Sequence, residues 1–173
     1  MFLERARLHP MPDDHHAIFA GLKALAWQHR VKLQFAFWGY GAAWKPYDDG
    51  DAPDLREIAS IRFPDDEGAQ NNPGALAVFA HELGHHLSWL EDRSRWNAAV
   101  DALVNAHKIC GPLGAIPAPL TADQFQPYYA EEVRAWQIAR ALLAQVGATD
   151  FAHFDSTAAE ALRTYRENIP HLR

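Results

Sequence analysis

Cysteine is almost missing from this chain: Cys110 is the only one in 173 residues. No internal disulfide can form and no cysteine cluster can hold a metal, a usage that suits a reducing compartment. Lys and Arg form no run and the net charge is −6. The basic face that phosphate binding needs is lacking, so no direct nucleic-acid partner is expected. No apolar run approaches membrane-spanning length, and Met1-Phe2-Leu3-Glu4-Arg5 lacks the charged-then-apolar order of a signal peptide. Repeats and low-complexity tails are absent as well. These absences point to a cytoplasmic protein without a membrane partner. With 49% hydrophobic and 22% charged residues, the composition is ordinary for a globular chain. The length suits one domain over 1–173, with an α/β lobe at about 1–110 and a helical lobe at about 111–173 around a cleft.

Histidine, by contrast, is plentiful, with ten residues. Two of them stand in the motif His81-Glu82-Leu83-Gly84-His85, an HExxH pattern inside a stretch that reads as helix. Residues four apart on a helix lie on one face, so His81 and His85 can offer two imidazole nitrogens to one metal ion, with Glu82 beside them. At about 100° per residue, Leu76, Phe79, Ala80, Leu83, Leu87 and Leu90 form one apolar stripe. The two histidines fall nearly opposite it, facing a cleft. Gly84 sits beside the ligand face, where a missing side chain admits close approach by another element. His86 lies about 100° from His85 and reads as a packing or hydrogen-bonding neighbour.

Around this motif the chain alternates short elements with Pro- and Gly-rich breaks. Asp13 or Asp14 caps a helix to about Arg30, with Ile18, Leu22 and Leu25 buried; His15, His16 and His29 read as surface residues. Val31 to Phe37 alternates as a half-buried strand. Gly39 to Pro53 reads as a long loop. Within it, Asp48-Asp49-Gly50-Asp51 lacks calcium-loop spacing and reads as a solvated turn, while Trp38, Tyr40, Trp44 and Tyr47 read as packing against the sheet edge or, alternatively, as one wall of a substrate groove. Arg56 to Phe63 is a second strand candidate. Asn71 or Asn72 caps the motif helix, with Pro73 in its first turn, and that helix runs to about Leu90. Further helices are expected over about Ser94–Ile109, from Thr121 or Tyr129 to Val146, and from a Thr157–Glu160 capping box to a point before Pro170.

A catalytic zinc site needs a third ligand. Glu91 stands where some HExxH proteins carry a third histidine, but a continuing helix turns it about 280° from His81, a poor position. Glu131 and Glu132 lie within or at the edge of an apolar stripe formed by Ala135, Trp136, Ile138, Ala139, Leu142, Leu143 and Val146. A carboxylate facing a core is costly unless a cation or metal meets it. That favours a ligand here, Glu132 ahead of Glu131.

The HELGH sequence, followed later by Glu132, Ala135, Ile138, Ala139 and Leu142-Leu143, resembles the gluzincin-like HExxH…E zinc metallopeptidases. It is most similar to domains of the ImmA/IrrE type, over about 70 residues. The resemblance implies Glu132 as the third zinc ligand. It also implies an edge strand before the motif helix on which an extended peptide docks, the place held by Arg56 to Phe63. Where that family often carries Asn or Asp after the Ala, this chain has Trp136, so another group must orient the ligand histidines. The expected fold is α+β and zincin-like: a small mixed or antiparallel sheet packed on the motif helix, with a mostly helical C-terminal part. The expected function is zinc-dependent peptide hydrolysis, with Glu82 as general base and Tyr128, Tyr129 or His107 as candidate oxyanion donors. The substrate would be a protein or peptide. The alternative is a regulatory metal-binding module, non-catalytic or conditionally active, that acts through a protein partner.

Overall fold

In a computed structural model of the chain, described over residues 14–36, 43–46, 59–64, 72–99, 101 and 122–168, the motif helix is the hub. The elements are α1 (His15–Gln28), β1 (Val31–Ala36), β2 (Ala43–Pro46), β3 (Ala59–Pro64), α2 (Pro73–Glu91), a short helical stretch α3 over 93–99, α4 (Ala122–Gln145) and α5 (Ala152–Asn168). The described chain is mostly helical with a small sheet, an α+β arrangement. Helix α2 packs on α1, β2, β3, α4 and α5.

Local chemistry sets the helix starts. Asp14 accepts the backbone N–H groups of His16 and Ala17 at the head of α1, and Asn72 accepts that of Gly74 at the head of α2, where Pro73 occupies the first turn. Helix α4 stops just before Gly147, whose φ of +98° is a conformation that favours glycine. The capping box expected at Thr157 does not form. Helix α5 begins earlier, where Asp150 accepts the Ala152 N–H at 2.9 Å. Thr157 lies inside the helix and its hydroxyl donates to the His153 carbonyl one turn back, at 2.9 Å.

The sheet runs in the order β1-β3-β2, with β1 parallel and β2 antiparallel to β3. Val31 pairs with Ala59 and Leu33 with Ile61. Two expectations are corrected here. The Gly39–Pro53 stretch is not all loop, because 43–46 forms β2. The strand expected at Arg56–Phe63 runs from Ala59 to Pro64 and is central rather than an edge, its backbone paired on both sides. Its residues Ala59, Ser60 and Ile61 are all buried, as a covered central strand requires.

One apolar cluster joins Ile18, Leu22 and Leu25 of α1, Val31 of β1, Ile61 of β3, Leu76, Phe79 and Leu83 of α2, Leu142 and Leu143 of α4 and Phe154 of α5. Fully burying each such side chain contributes about 1.5–3 kcal/mol. Leu90 departs from the expected stripe and is 40% exposed. Where α4 crosses α2 it comes so close that a Cβ on Gly84 would stand 2.3 Å from the carbonyl oxygen of Ala135. That approach is the use the sequence position of Gly84 suggests, and it brings the α4 carboxylates onto the histidines. Among the described residues no helix is long and apolar enough to cross a membrane.

Candidate metal centre

His81 and His85 stand one turn apart on α2, and Glu132 reaches them from α4. All three are buried, at 7%, 7% and 4% exposure, so the histidines that face away from the apolar stripe meet a second layer of protein. Their ligand-type atoms converge. The two Nε2 atoms are 3.1 Å apart, His81 Nε2 is 3.2 Å from Glu132 Oε2, and His85 Nε2 is 3.6 Å from Glu132 Oε1. Burial pushes the Glu132 carboxyl upward, but the close approach of His81 and the charge of both imidazoles outweigh it and hold the group below the usual carboxylate range.

The fit to a metal ion can be judged from these spacings. Tetrahedral coordination with bonds of about 2.0–2.1 Å separates donor atoms by about 3.3 Å, close to the three distances observed. A proton on one Nε2 can bridge only one of these gaps, whereas a cation satisfies all three atoms at once. Both Nδ1 atoms point elsewhere, and Glu132 Oε2 makes no regular hydrogen bond. Two imidazoles and one carboxylate form a donor set typical of zinc. Among the described residues, His81, His85 and Glu132 form the group that can hold a metal.

The rings are held by aromatic contacts. His81 stacks on Trp136, with centroids 4.1 Å apart and planes at 21°, and His85 meets the edge of Trp96 from α3 at 5.5 Å. His86, fully buried, belongs to a different environment. Its Nε2 donates to the His29 carbonyl at 3.0 Å, and burial pushes its imidazole down to about 4. His86 is thus the hydrogen-bonding neighbour its position suggests.

The other ligand candidates are drawn away. Glu91 is exposed and ion-paired with Arg134 and Arg95, which hold its carboxyl low. Glu131 is buried, yet it lies on the Nδ1 side of His85 at 3.6 Å, outside the converging set. Glu82 is half-buried next to His81.

Of the candidate hydroxyl donors, Tyr128 sits one turn before Glu132 on α4. Its hydroxyl donates to that of Tyr165 on α5 at 3.4 Å, and the two rings meet edge to face at 5.5 Å. Burial and the Glu132 charge push Tyr128 well above its ordinary range. They push Tyr165 up to about 12, with a smaller contribution from Glu82. Tyr129 instead accepts from Arg166 at 2.6 Å, and His107 lies outside the described residues. Sequence reasoning missed Tyr165, because nothing local marks it: its place beside Glu132 follows from α5 folding back along α4. It also gave Glu131 no role other than as a rival ligand. No protein-family model, no curated protein and no solved structure matches this chain, so a functional reading rests on the geometry of these residues.

Proposed function

We propose that the chain is a zinc-dependent metallopeptidase of the HExxH…E, gluzincin-like kind, with a zincin-like fold and its nearest resemblance to ImmA/IrrE-type domains. The observation that carries this reading is the convergence of His81 Nε2, His85 Nε2 and the Glu132 carboxylate at 3.1–3.6 Å, with an HExxH glutamate alongside. Zinc held by these three residues would supply a Lewis acid that lowers the pKa of a water and polarises a carbonyl. Glu82 takes the proton from that water and passes it to the leaving amine. The Tyr128–Tyr165 hydroxyl pair, held beside Glu132, donates to the oxyanion that develops at the scissile carbonyl. An extended peptide adds to β2, the strand that packs on α2 and, among the described residues, pairs on one side only.

The burial of all three ligands favours a second reading, a regulatory module that acts through a protein partner and is non-catalytic or cuts only when the site opens. One experiment separates the two. Wild type and Glu82→Gln are purified, their zinc content is measured, and cleavage of a peptide library is followed by mass spectrometry. The peptidase reading expects full zinc in both and cleavage only by wild type. Cleavage by neither, with Glu82→Gln retaining full biological activity, would leave the regulatory reading standing.

A further inference from the structure

Behind the converging atoms lies a second carboxylate that the proposed reaction does not use. Glu131 is 1% exposed, one residue before Glu132 on α4, and it faces α2 between His85 and Ser88. Its Oε2 accepts from the Ser88 hydroxyl at 3.0 Å and lies 3.5 Å from Arg95 Nε. The Arg95 guanidinium also donates to Ser88 Oγ at 3.0 Å and to the Ser88 carbonyl at 3.3 Å. It pairs with Glu91 at 3.5 Å, which in turn is held by Arg134. One oxygen of Glu131 is therefore fixed from α2 and α3 together. The other, Oε1, is 3.6 Å from His85 Nδ1.

These last two atoms are both buried and neither makes a hydrogen bond. One can donate and the other accepts, and they face each other. A neutral imidazole carries a single N–H. For His85 to present an Nε2 lone pair to a cation, its proton must sit on Nδ1, and a buried Nδ1–H needs an acceptor. Glu131 Oε1 is placed to be that acceptor. His81 is held differently, for its Nδ1 has no hydrogen-bond partner and its ring lies against Trp136.

Resting on the metal-centre reading above, we propose that Glu131 is a positioning residue that keeps His85 in the Nδ1–H tautomer with Nε2 toward the metal. Ser88 and Arg95 hold its carboxylate in place. Residues of α3 that touch no ligand-type atom of Glu132 or His81 thereby contribute to metal affinity through Arg95. Groups of this kind commonly change metal affinity by about 10–100-fold when removed.

The test is zinc affinity, measured with the zinc ion itself by competition against a chromophoric chelator, for wild type, Glu131→Ala, Glu131→Gln and Ser88→Ala. Glu131→Ala is expected to bind about 10–100-fold more weakly. Glu131→Gln, which keeps an acceptor oxygen, recovers part of that loss, and Ser88→Ala shows a smaller loss in the same direction. A readout that a merely structural role would not move is the exchangeable Nδ1–H signal of His85 in the zinc-loaded protein, expected to be protected in wild type and lost in Glu131→Ala. Should Glu131→Ala fail to fold, Glu131→Gln and Ser88→Ala carry the comparison. Wild-type affinity and an intact His85 signal in every folded variant would overturn the role of Glu131 while leaving the metal centre standing. A wild-type protein that binds no zinc would overturn both.

Discussion

Trp136 and His81 lie face to face, with ring centroids 4.1 Å apart and planes at 21°. Stacking restrains the ring as a hydrogen bond would, but leaves its Nδ1 without a partner. The indole also packs on Phe154, with ring centroids 5.4 Å apart, and its Nε1–H is buried without a hydrogen bond. Trp136→Ala is therefore expected to cost about 3–5 kcal/mol in urea unfolding. It also removes a contact of about 1 kcal/mol, roughly fivefold in zinc affinity. Trp136→Phe keeps the stack and forfeits no hydrogen bond, so its losses are smaller on both counts. Equal losses for the two variants would show that the stack does not hold His81.

A ligand that binds only the folded state raises stability by mass action. Zinc at a hundred times its dissociation constant adds about 2.7 kcal/mol, and in a chain of this size each kcal/mol raises Tm by about 2–4 °C. Wild type stripped with chelator and then reloaded should gain about 5–10 °C in thermal unfolding. Glu132→Ala and His85→Ala should gain almost nothing, and Glu91→Ala should gain as much as wild type. A full gain in Glu132→Ala would remove that residue from the ligand set.

The parts of this site that were legible in the sequence are those decided within one element. The HExxH spacing, the Asn72-Pro73 helix start and the ligand-side position of Gly84 all follow from helical phase and capping. Glu132 was legible one level up, because a carboxylate in an apolar stripe requires a partner. What the sequence did not show depends on contacts between elements. The four residues of β2 are a strand because β3 lies beside them, and their own propensity is weakened by Pro46 within the strand and Gly41 just before it. The central place of β3 is a property of three strands together. Tyr165 and the Ser88–Glu131–Arg95 contacts each join helices distant in sequence, so no spacing rule marks them.

Gly84→Ala sets two effects of known size against each other. Ala is better than Gly in a helix interior by about 1 kcal/mol, so local propensity alone predicts stabilisation. The new Cβ would stand 2.3 Å from the Ala135 carbonyl oxygen, and that neighbour is backbone, which cannot rotate aside. Forcing such a contact costs about 1–3 kcal/mol or more, so a net loss is expected. As α4 is pushed off α2, Glu132 also draws away from His81 and His85, and zinc affinity falls with stability. Unfolding and zinc titration of the same variant check both; a gain in stability would show that the helices separate freely.

His86 provides a pH dependence of defined sign. Its imidazole is held down to about 4, from an ordinary value of 6.5, chiefly because burial disfavours the charged form. Between these values the unfolded chain takes up a proton that the folded chain refuses. The contribution to stability is thus full above about pH 6.5 and is lost progressively as pH falls towards 4. At about 1.4 kcal/mol per unit the loss is on the order of 3 kcal/mol. His86→Gln keeps a donor for the His29 carbonyl but does not titrate. In metal-free protein, where zinc release does not contribute, urea unfolding should show wild-type stability falling steeply from pH 6.5 to 4.5 and that of His86→Gln falling less. Near pH 7 the variant lies below wild type by the cost of imperfect packing alone, and that gap narrows as the pH falls. Parallel curves across the whole range would mean that His86 takes up its proton in the folded protein as readily as in the unfolded one.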